Sequence, residues 1–369
     1  SGRWTDYDTF GTDTTFKLGL NWEIVEGLSV RASRGTSFRA PALFELFLAE
    51  QTGFGGQLAI DPCLDYEAGF ASGAISDTVY QNCIADGVPA DYVQAGGSVT
   101  LVTSGGAGRL QAETSVAESV GVVWTSPEDT YAVSVDYFAI EISDEIDNLG
   151  GADIVSRCYS SIDFANEPLC DLFTRRDGSS ANDYGIDQVN GGYVNIAYQE
   201  VRGVDYNFTY QDDFDWGSLR FRVEHTMQIE QYSKLFSDSP YNRRTGEQGY
   251  PKHVGVARLT YSNDDFSLTW TANYFDSTND YEYYASETNT TTVNGNTVTF
   301  IDETPWTMYH TASGSFSYES LDVIVGVANV FDKEPPRISS SGFDLGNAAL
   351  YSQYDFIGRR VFANLRYNF

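Results

Sequence analysis

The sequence predicts an all-β protein whose strands form an antiparallel transmembrane β-barrel. Three observations support this fold class. Apolar and polar residues alternate along segments that are longer than most strands of soluble proteins. Short turns and long loops connect these segments in strict alternation, and aromatic residues cluster beside the short turns. A soluble β-sandwich would distribute its turn lengths less regularly.

The alternating segments are long enough to cross a bilayer, which takes about 9–11 residues of a tilted strand. We predict eleven strands, at residues 13–24, 27–38, 114–126, 129–143, 192–210, 216–231, 251–262, 265–279, 304–319, 320–331 and 355–369. In the last of these, the side chains predicted to face lipid are Val361, Leu365, Tyr367 and Phe369. Those predicted to face the lumen are Arg360, Asn364 and Arg366.

The connections differ in length according to the side of the membrane on which they are expected. Short turns are predicted at 25–27, 126–128, 211–215, 263–264 and 319–320. Long loops are predicted at 39–113, 144–191, 232–250, 280–303 and 332–354. Short turns on one rim and long loops on the other are typical of outer-membrane barrels, with the short turns in the periplasm.

Aromatic residues flank the short turns and predict a periplasmic girdle. They are Trp22, Trp124, Tyr131, Tyr210, Trp216, Tyr261, Phe266 and Tyr318. Amphipathic rings favour the level of the lipid headgroups. The alternative is a row of core aromatics in a soluble β-protein.

Strand parity bears on the extent of the chain. The last strand ends at Phe369 on the periplasmic side, so counting back eleven strands places residues 1–11 on the outer side. A complete barrel with both termini in the periplasm needs an even number of strands, and open edges are not tolerated in lipid. We therefore expect residues 1–369 to be the C-terminal part of a barrel. Its first half would be absent, and eleven strands are half of a 22-stranded plugged barrel.

Composition excludes several classes of function. The net charge of the 369 residues is −30, which disfavours nucleic-acid binding. The three histidines, His225, His253 and His310, are widely spaced and suggest neither a metal site nor a catalytic centre. With 52 acidic residues, no carboxylate pair of a glycosidase can be singled out. We predict no enzymatic activity, no catalytic residue, no cofactor and no metal site.

Four motifs, in family order, resemble those of TonB-dependent receptors. Residues 30–47, VRASRGTSFRAPALFELF, resemble a mid-barrel signature in which a strand ends in G-x-x-F-R-A-P. Residues 110–124, LQAETSVAESVGVVW, resemble the L-x-P-E-x-S…G-x-x-W motif, with Ala112 in place of the usual proline. Residues 325–336, VGVANVFDKEPP, resemble the N-L-F-D-K-x-P ending of the penultimate strand. Residues 354–369, YDFIGRRVFANLRYNF, resemble the closing strand with its terminal phenylalanine.

The resemblance implies a function as well as a fold. Members of this family are outer-membrane receptors of Gram-negative bacteria, with a 22-stranded barrel around an N-terminal plug. They import scarce ligands such as ferric siderophores, cobalamin, oligosaccharides or peptides. TonB with ExbB–ExbD supplies the energy through a short box near the N-terminus. Neither plug nor box is visible in this sequence. The resemblance also implies contact with outer-membrane lipids and lipopolysaccharide, and recognition of Phe369 by the barrel-assembly machinery, although Phe369 also suits an ordinary girdle position.

Four cysteines lie in the first two long loops and indicate disulfides formed in an oxidising compartment. Four cysteines allow three connectivities, of which Cys63–Cys83 with Cys158–Cys170 closes the shortest loops. A zinc site is the alternative, but no CxxC spacing or nearby histidine supports it.

The loops also contain the candidate ligand-binding residues, because loops on a rigid scaffold usually determine specificity. Tyr281, Tyr283 and Tyr284 could stack on a sugar or an aromatic chelator, or pack within their own loop. Two basic doublets, Arg175–Arg176 and Arg243–Arg244, could bind an anionic ligand or lipopolysaccharide phosphates, or could be solvated loop charges.

Two other functions remain open at this stage. A passive porin or adhesin barrel shares the strand pattern, but the long cysteine-bearing loops and the receptor-like motifs argue against it. A secreted β-rich glycan-binding or hydrolytic protein is the third possibility, and dependence on detergent would exclude it.

Overall fold

The computed structural model describes residues 1–7, 11–93, 97–179, 183–236, 239, 241–279, 290–339 and 353–367. Within these residues the strands are β1 (Gly2–Tyr7), β2 (Gly11–Val25), β3 (Leu28–Arg39), β4 (Gln51–Gly56), β5 (Ser98–Ser104), β6 (Glu113–Thr125), β7 (Tyr131–Leu149), β8 (Phe173–Arg175), β9 (Ile186–Phe214), β10 (Gly217–Lys234), β11 (Asn242–Arg243), β12 (His253–Ser262), β13 (Phe266–Phe275), β14 (Thr278–Asn279), β15 (Thr290–Val293), β16 (Asn296–Thr299), β17 (Glu303–Thr304), β18 (Thr307–Tyr318), β19 (Leu321–Ala328) and β20 (Arg360–Tyr367).

The helices are short and lie in the long loops. They are α1 (Leu43–Phe47), α2 (Gln57–Ile60), α3 (Tyr66–Ser72), α4 (Asp77–Ala85) and α5 (Gly151–Ser160), with 3₁₀ turns at Phe164–Asn166 and Pro168–Leu172. No helix in the described part of the chain combines the length and apolar character needed to cross a membrane.

Twelve strands form one continuous antiparallel wall. Their order is β1-β2-β3-β6-β7-β9-β10-β12-β13-β18-β19-β20. The wall is thus a meander, in which each wall strand pairs with the wall strands that precede and follow it in the sequence. All eleven predicted strands are confirmed. β1 and β20 end the order, and among the described residues each pairs with one wall strand only. The wall is therefore a partial, open barrel.

The twelfth strand, β1, was not predicted. Residues 1–11 were expected to be an outer connection, but Gly2–Tyr7 pairs with the first residues of β2 in register Gly2↔Phe16 to Tyr7↔Gly11. The alternation in this segment is weak, since Trp4 shares its face with Gly2 and Asp6. Pairing with β2, rather than local hydrophobic pattern, makes this segment a strand.

The connections have the predicted asymmetry. Tight turns join β2 to β3, β6 to β7, β9 to β10, β12 to β13 and β18 to β19 at one rim, and the long loops leave from the other rim. In the first turn Gly27 has φ of 77°, and a Cβ atom there would lie 2.4 Å from the Thr125 carbonyl oxygen. Glycine is thus required both by the backbone conformation and by the close approach of β6.

The two faces of the wall differ in character, as the alternation predicted. In the last strand pair, Val361 lies opposite Val327 and Leu365 opposite Val323 on one face. Val361 is 80% exposed and Leu365 70% exposed. Arg366 lies opposite Asp322 on the other face. Phe362 departs from the pattern, because it lies on the same face as Arg360 and Asn364. Its ring packs over Gly326, and a side chain on residue 326 would collide with that ring. The two faces are called below the outer face and the lumen face.

The predicted aromatic girdle lies at the rim with the tight turns. The rings of Tyr131 and Tyr210 are 5.2 Å apart between centroids. Trp216 stacks on Tyr261 at 5.5 Å, and Tyr261 contacts Phe266 at 5.8 Å. These rings share the outer face with the exposed aliphatic residues of the strands, an arrangement that suits a lipid interface.

The first two long loops form a folded cap beyond the opposite rim. The cap comprises the described residues within 40–112 and 150–185. In it β5 pairs in parallel with β9 and antiparallel with β4, while β8 pairs antiparallel with β9. The side chains at the centre of the cap are fully buried: Val99, Ile154, Val155 and Tyr159, together with Ile186 and Val189 from the start of β9. The cap therefore has a hydrophobic core of its own, separate from the exposed aliphatic residues of the wall.

Candidate ligand-binding cleft

The site is built around a hairpin, β9 and β10, that rises beyond the neighbouring strand β12. β9 has 29 residues and β10 has 18, whereas β12 has 10. Pairing between β10 and β12 ends at Met227↔His253, and β10 continues with β9 to Lys234↔Tyr198. A register shift between Gln228 and Glu230 marks the start of this extension. Such bulges twist a strand and often re-aim its side chains.

Both predicted disulfides are present in the cap. The Cα atoms of Cys63 and Cys83 are 5.5 Å apart, and those of Cys158 and Cys170 are 5.1 Å apart. Both distances are within the range that a disulfide allows. The first bridge ties α4 to the segment after α2, and the second ties α5 to the following 3₁₀ turn.

A buried arginine joins the two loops of the cap. The Arg175 side chain is 9% exposed and donates two hydrogen bonds to the fully buried Asp61 carboxylate, at 2.7 and 2.8 Å. It also donates to Asp86, to the Tyr159 hydroxyl and to the Tyr184 carbonyl oxygen. Asp61 and Asp86 come from the first loop, and Arg175 comes from the second.

Burial alone would lower the pKa of Arg175, but the hydrogen bonds and charge of Asp61 raise it above its ordinary value. Burial raises the pKa of the Tyr159 hydroxyl. Both groups therefore keep their protons and act as donors. Arg175 therefore has a structural role in the cap. The sequence predicted either a ligand contact or a solvated charge at this position, and the buried ion pair contradicts both.

A cleft of about 530 Å³ lies between the cap and the extended hairpin. Its floor carries Ala197, Gln199 and Ser233, and Gln199 lies opposite Ser233 in the ladder. Since Gln199 alternates along β9 with the outward Tyr206 and Phe208, the floor belongs to the lumen face. The cleft thus opens at the outer end of the lumen, beneath helix α5.

Charges of both signs line the cleft. The acidic residues are Glu145, Asp147 and Asp153, and the basic residues are Arg157 and Arg244. Lys234 also borders the cleft, but its ammonium group lies over the rings of Tyr198 and Tyr241. Burial, and then the nearby charges of Glu113 and Asp147, raise the pKa of Glu145, although Gln199 donates a 2.9 Å hydrogen bond to it. The site can accordingly accept hydrogen bonds from, and donate them to, a polar ligand.

The doublet Arg243–Arg244 is divided between the two faces of the hairpin. Arg244 lines the cleft, donates a 2.9 Å hydrogen bond to the Tyr250 hydroxyl and lies 5.3 Å above the Tyr250 ring. Arg243 pairs with Tyr232 on the outer face, where its side chain is 70% exposed and lies 3.3 Å from Glu230. Only one of the two predicted residues is therefore placed to contact a ligand in the cleft.

Of the remaining predicted site residues, the structure describes only some. Tyr281, Tyr283, Tyr284 and Phe369 lie outside the described residues, and their roles stay predictions. Arg176 pairs with Asp183 and Asp187 at the surface of the cap.

Sequence reasoning does not find Arg157 and Asp153, because they lie on the amphipathic helix α5 inside residues 144–191, which the sequence predicts as a loop. The helix could have been found from its buried positions Ile154, Val155 and Cys158, which have helical spacing.

Comparison with known proteins identifies the family. Residues 1–356 match the family described as TonB dependent receptor-like, beta-barrel. A mutant of the ferric enterobactin receptor PfeA from Pseudomonas aeruginosa, in complex with enterobactin, is similar with a TM-score of 0.59 and 17% identity. The match covers 99% of this chain and 42% of that one.

The siderophore receptor PirA from Acinetobacter baumannii is similar with a TM-score of 0.58 and 13% identity, over 100% of this chain and 43% of that one. This chain thus spans less than half the length of the receptors it matches, and the low identities show a shared fold. The family match, the twelve-stranded antiparallel wall and the asymmetric connections agree, and the chain belongs to the TonB-dependent receptor family as part of its β-barrel domain.

Proposed function

We propose that this chain forms part of the wall and the outer cap of a transporter in the outer membrane of a Gram-negative bacterium. The transporter binds a scarce extracellular ligand and imports it with energy from TonB and ExbB–ExbD, which act through the part of the protein outside residues 1–369. Family membership supports this general role. Enzymatic activity is not part of the proposal.

The observation that carries the proposal is the cleft at the outer end of the lumen. Its volume of about 530 Å³ lies in the range of small-molecule sites. It is lined by polar and charged side chains and covered by a cap that two disulfides and a buried ion pair hold together. A rigid, preorganised site of this kind lowers the entropic cost of binding.

The ligand class that we favour is a small polar chelate, with ferric siderophores first. The basic side chains Arg157 and Arg244 suit the anionic oxygens of such a molecule. The structural neighbours include a receptor solved in complex with enterobactin and a second protein described as a siderophore receptor, which makes ferric chelates the first panel to test.

The test compares the two arginines of the doublet in the full-length receptor. Cells that express the receptor under iron limitation are assayed for binding and uptake of a panel of labelled ferric chelates, with and without TonB. We expect Arg244→Ala to weaken binding about tenfold or more, the effect of losing one charge-assisted hydrogen bond. Arg243→Ala is the matched control, because it removes the same charge one residue away on the outer face, and should leave binding unchanged.

Three results would contradict the proposal. Uptake that persists without TonB would indicate a passive channel. Equal effects of the two substitutions would show that the cleft is not the binding site. Failure of every ferric chelate to bind, while another class of solute binds with the same dependence on Arg244, would retain the site and reject the ligand class.

A further inference from the structure

Two of the three histidines meet on the outer face of the wall, although they lie 28 positions apart in the sequence. His225 lies on β10 opposite the outward Tyr206, and His253 is the first residue of β12. The two imidazole rings stack with their centroids 5.3 Å apart, and His225 Nε2 lies 3.2 Å from His253 Nδ1. We call these two residues the histidine pair. Their spacing in the sequence does not indicate a metal site, but the fold brings their nitrogens together.

Tyr274 of β13 orients the histidine pair from the other side. Its hydroxyl lies 3.0 Å from His225 Nδ1, and its ring stacks on the imidazole at 5.8 Å between centroids. To reach β10, the tyrosine crosses β12 over Gly255, where a side chain would collide with the Tyr274 ring. Glycine at position 255 is therefore what allows a contact that spans three strands. When His225 donates its Nδ1 proton to the tyrosine, its Nε2 atom presents a lone pair to His253.

The histidine pair lies where the extended hairpin separates from the wall. Pairing of β10 with β12 ends at Met227↔His253, and the register shift of β10 follows between Gln228 and Glu230. Beyond this point β10 continues with β9 to the floor of the cleft. A bond between His225 and His253 therefore joins the hairpin to the wall at the base of the extension.

We propose that the histidine pair binds one divalent transition-metal ion, such as Zn²⁺ or Cu²⁺, which bridges β10 and β12. Imidazole nitrogens bind such ions at about 2.0–2.1 Å, so two nitrogens on one ion are roughly 2.9–3.4 Å apart for square-planar to tetrahedral angles. The separation of 3.2 Å lies in this range. In the metal-bound state neither facing nitrogen carries a proton, so each ring keeps its proton on the far nitrogen, Nδ1 of His225 and Nε2 of His253.

Tyr274 is the outer-shell partner of this site. A metal-binding histidine usually donates its other ring N–H to an oxygen atom, which fixes the orientation and the tautomer of the ring. The Tyr274 hydroxyl occupies this position at His225 Nδ1. The tyrosine therefore holds His225 in the tautomer that metal binding needs.

Solvent completes the coordination of the ion. No group of three or more His, Cys, Asp or Glu residues suited to a metal lies in the described part of the chain, so the protein supplies two imidazoles. His253 follows the exposed Lys252 at the outer end of β12, where water reaches the wall. A site of this kind selects ions that bind imidazole over Ca²⁺ and Mg²⁺, which prefer oxygen ligands. The site is separate from the cleft and does not depend on the ligand class proposed above.

The third histidine provides a matched control. His310 lies on β18 opposite Ala272, on the same outer face as Tyr274. Its ring lies against those of Trp270 and Phe331, at 5.4 and 4.9 Å between centroids, and not against a second imidazole. His310 is therefore an outer-face histidine without the paired geometry.

The test titrates the purified full-length receptor with Cu²⁺ in detergent, after metal removal and with an affinity tag free of histidine. The electron paramagnetic resonance spectrum reports the nitrogens bound to Cu²⁺. The variants are His225→Gln, His253→Gln and Tyr274→Phe, with His310→Gln as the control. The two substitutions in the pair are made separately, so either one tests the site if the other prevents assembly, which heat-modifiable migration checks. Each variant is compared with the unaltered receptor, because the receptor contains more chain than residues 1–369.

We expect the unaltered receptor to bind Cu²⁺ with two coordinated imidazoles, in competition with excess Zn²⁺ but not with excess Mg²⁺. His225→Gln and His253→Gln should each abolish the two-imidazole spectrum. They should weaken binding by more than about a hundredfold, since loss of a ligand exceeds the effect of losing an outer-shell partner. Tyr274→Phe should keep the spectrum and weaken binding about tenfold. His310→Gln should leave both the spectrum and the affinity unchanged.

Two outcomes would overturn the proposal. If the unaltered receptor gives no spectrum of Cu²⁺ with two imidazoles, the histidine pair is only a hydrogen-bonded contact of the wall. If the spectrum appears but survives both His225→Gln and His253→Gln, the ion binds elsewhere in the receptor.

Discussion

Replacement of Arg175 by alanine should loosen the cap without unfolding the wall. The substitution leaves the Asp61 carboxylate, which is fully buried, without its counter-ion, and removes the bonds to Asp86 and Tyr159. Breaking one partner out of a buried ion pair typically costs about 3–5 kcal/mol. Such a loss corresponds to an opening equilibrium of the cap that is about a hundredfold or more larger.

The adjacent Arg176 provides a matched control. Its side chain is 31% exposed and pairs with Asp183 and Asp187 near the surface. Exposed pairs of this kind contribute about 0–1 kcal/mol, so Arg176→Ala should change the opening of the cap less than about fivefold.

Hydrogen exchange of the backbone amides in the full-length receptor measures the difference. Protection should fall in α4 and α5, which pack in the cap core, and should stay unchanged in the central strands of the wall. Equal loss of protection for Arg175→Ala and Arg176→Ala would refute the role of Arg175. A loss that extends through β12 and β13 would refute the separation of cap and wall.

Three further predictions follow from the same structure. Replacing both Cys158 and Cys170 by serine should lower the stability of the cap by about 3 kcal/mol, seen as faster proteolysis within residues 150–185, and unchanged cleavage would contradict the bridge. The pKa of the Glu145 carboxyl is raised in the folded protein, so its protonation stabilises the folded state below the ordinary pKa of 4.5. This stabilisation is lost as the pH rises through the pKa of the folded state. Glu145→Gln should therefore raise the thermal stability of the cap at pH 7 and have no effect near pH 4, and an effect of opposite sign would refute the burial of this carboxylate. Residues 1–369 expressed alone should fail to give a heat-modifiable monomer in detergent. Among the described residues β1 and β20 each pair with one wall strand only, and each ladder group left unpaired in lipid costs roughly several kcal/mol. A compact monomer would show that this wall closes by itself.

The wall could be predicted from the sequence because its two determinants are local. Alternation with period two distinguishes Leu365 from Arg366 without any knowledge of the neighbouring strand, and turn length distinguishes the two rims. The sequence does not predict β1 because its strand state depends on pairing with β2, and within the segment Trp4 shares its face only with Gly2 and Asp6.

The cap and the cleft were not predictable in the same way. The disulfides followed from cysteine spacing, but the parallel pairing of β5 with β9 joins residues about ninety positions apart and has no local signature. The sequence showed two arginine doublets of identical composition. Only the register of β11 on β10 and the burial of Arg175 reveal that one arginine of each doublet points away from the surface, Arg175 into the cap core and Arg244 into the cleft.

The ion pair between Arg175 and Asp61 has a consequence for how the outer surface of this receptor can diversify. Asp61 lies in the first long loop and Arg175 in the second, and two hydrogen bonds join their charged groups. A chimera that exchanges only one of these loops with another receptor would place a lone charge in an apolar core. The two loops must therefore be inherited, and grafted, together as one recombination unit. Among the described residues, the loop between β13 and β18 shares no such buried pair with the cap, so it can be exchanged by itself.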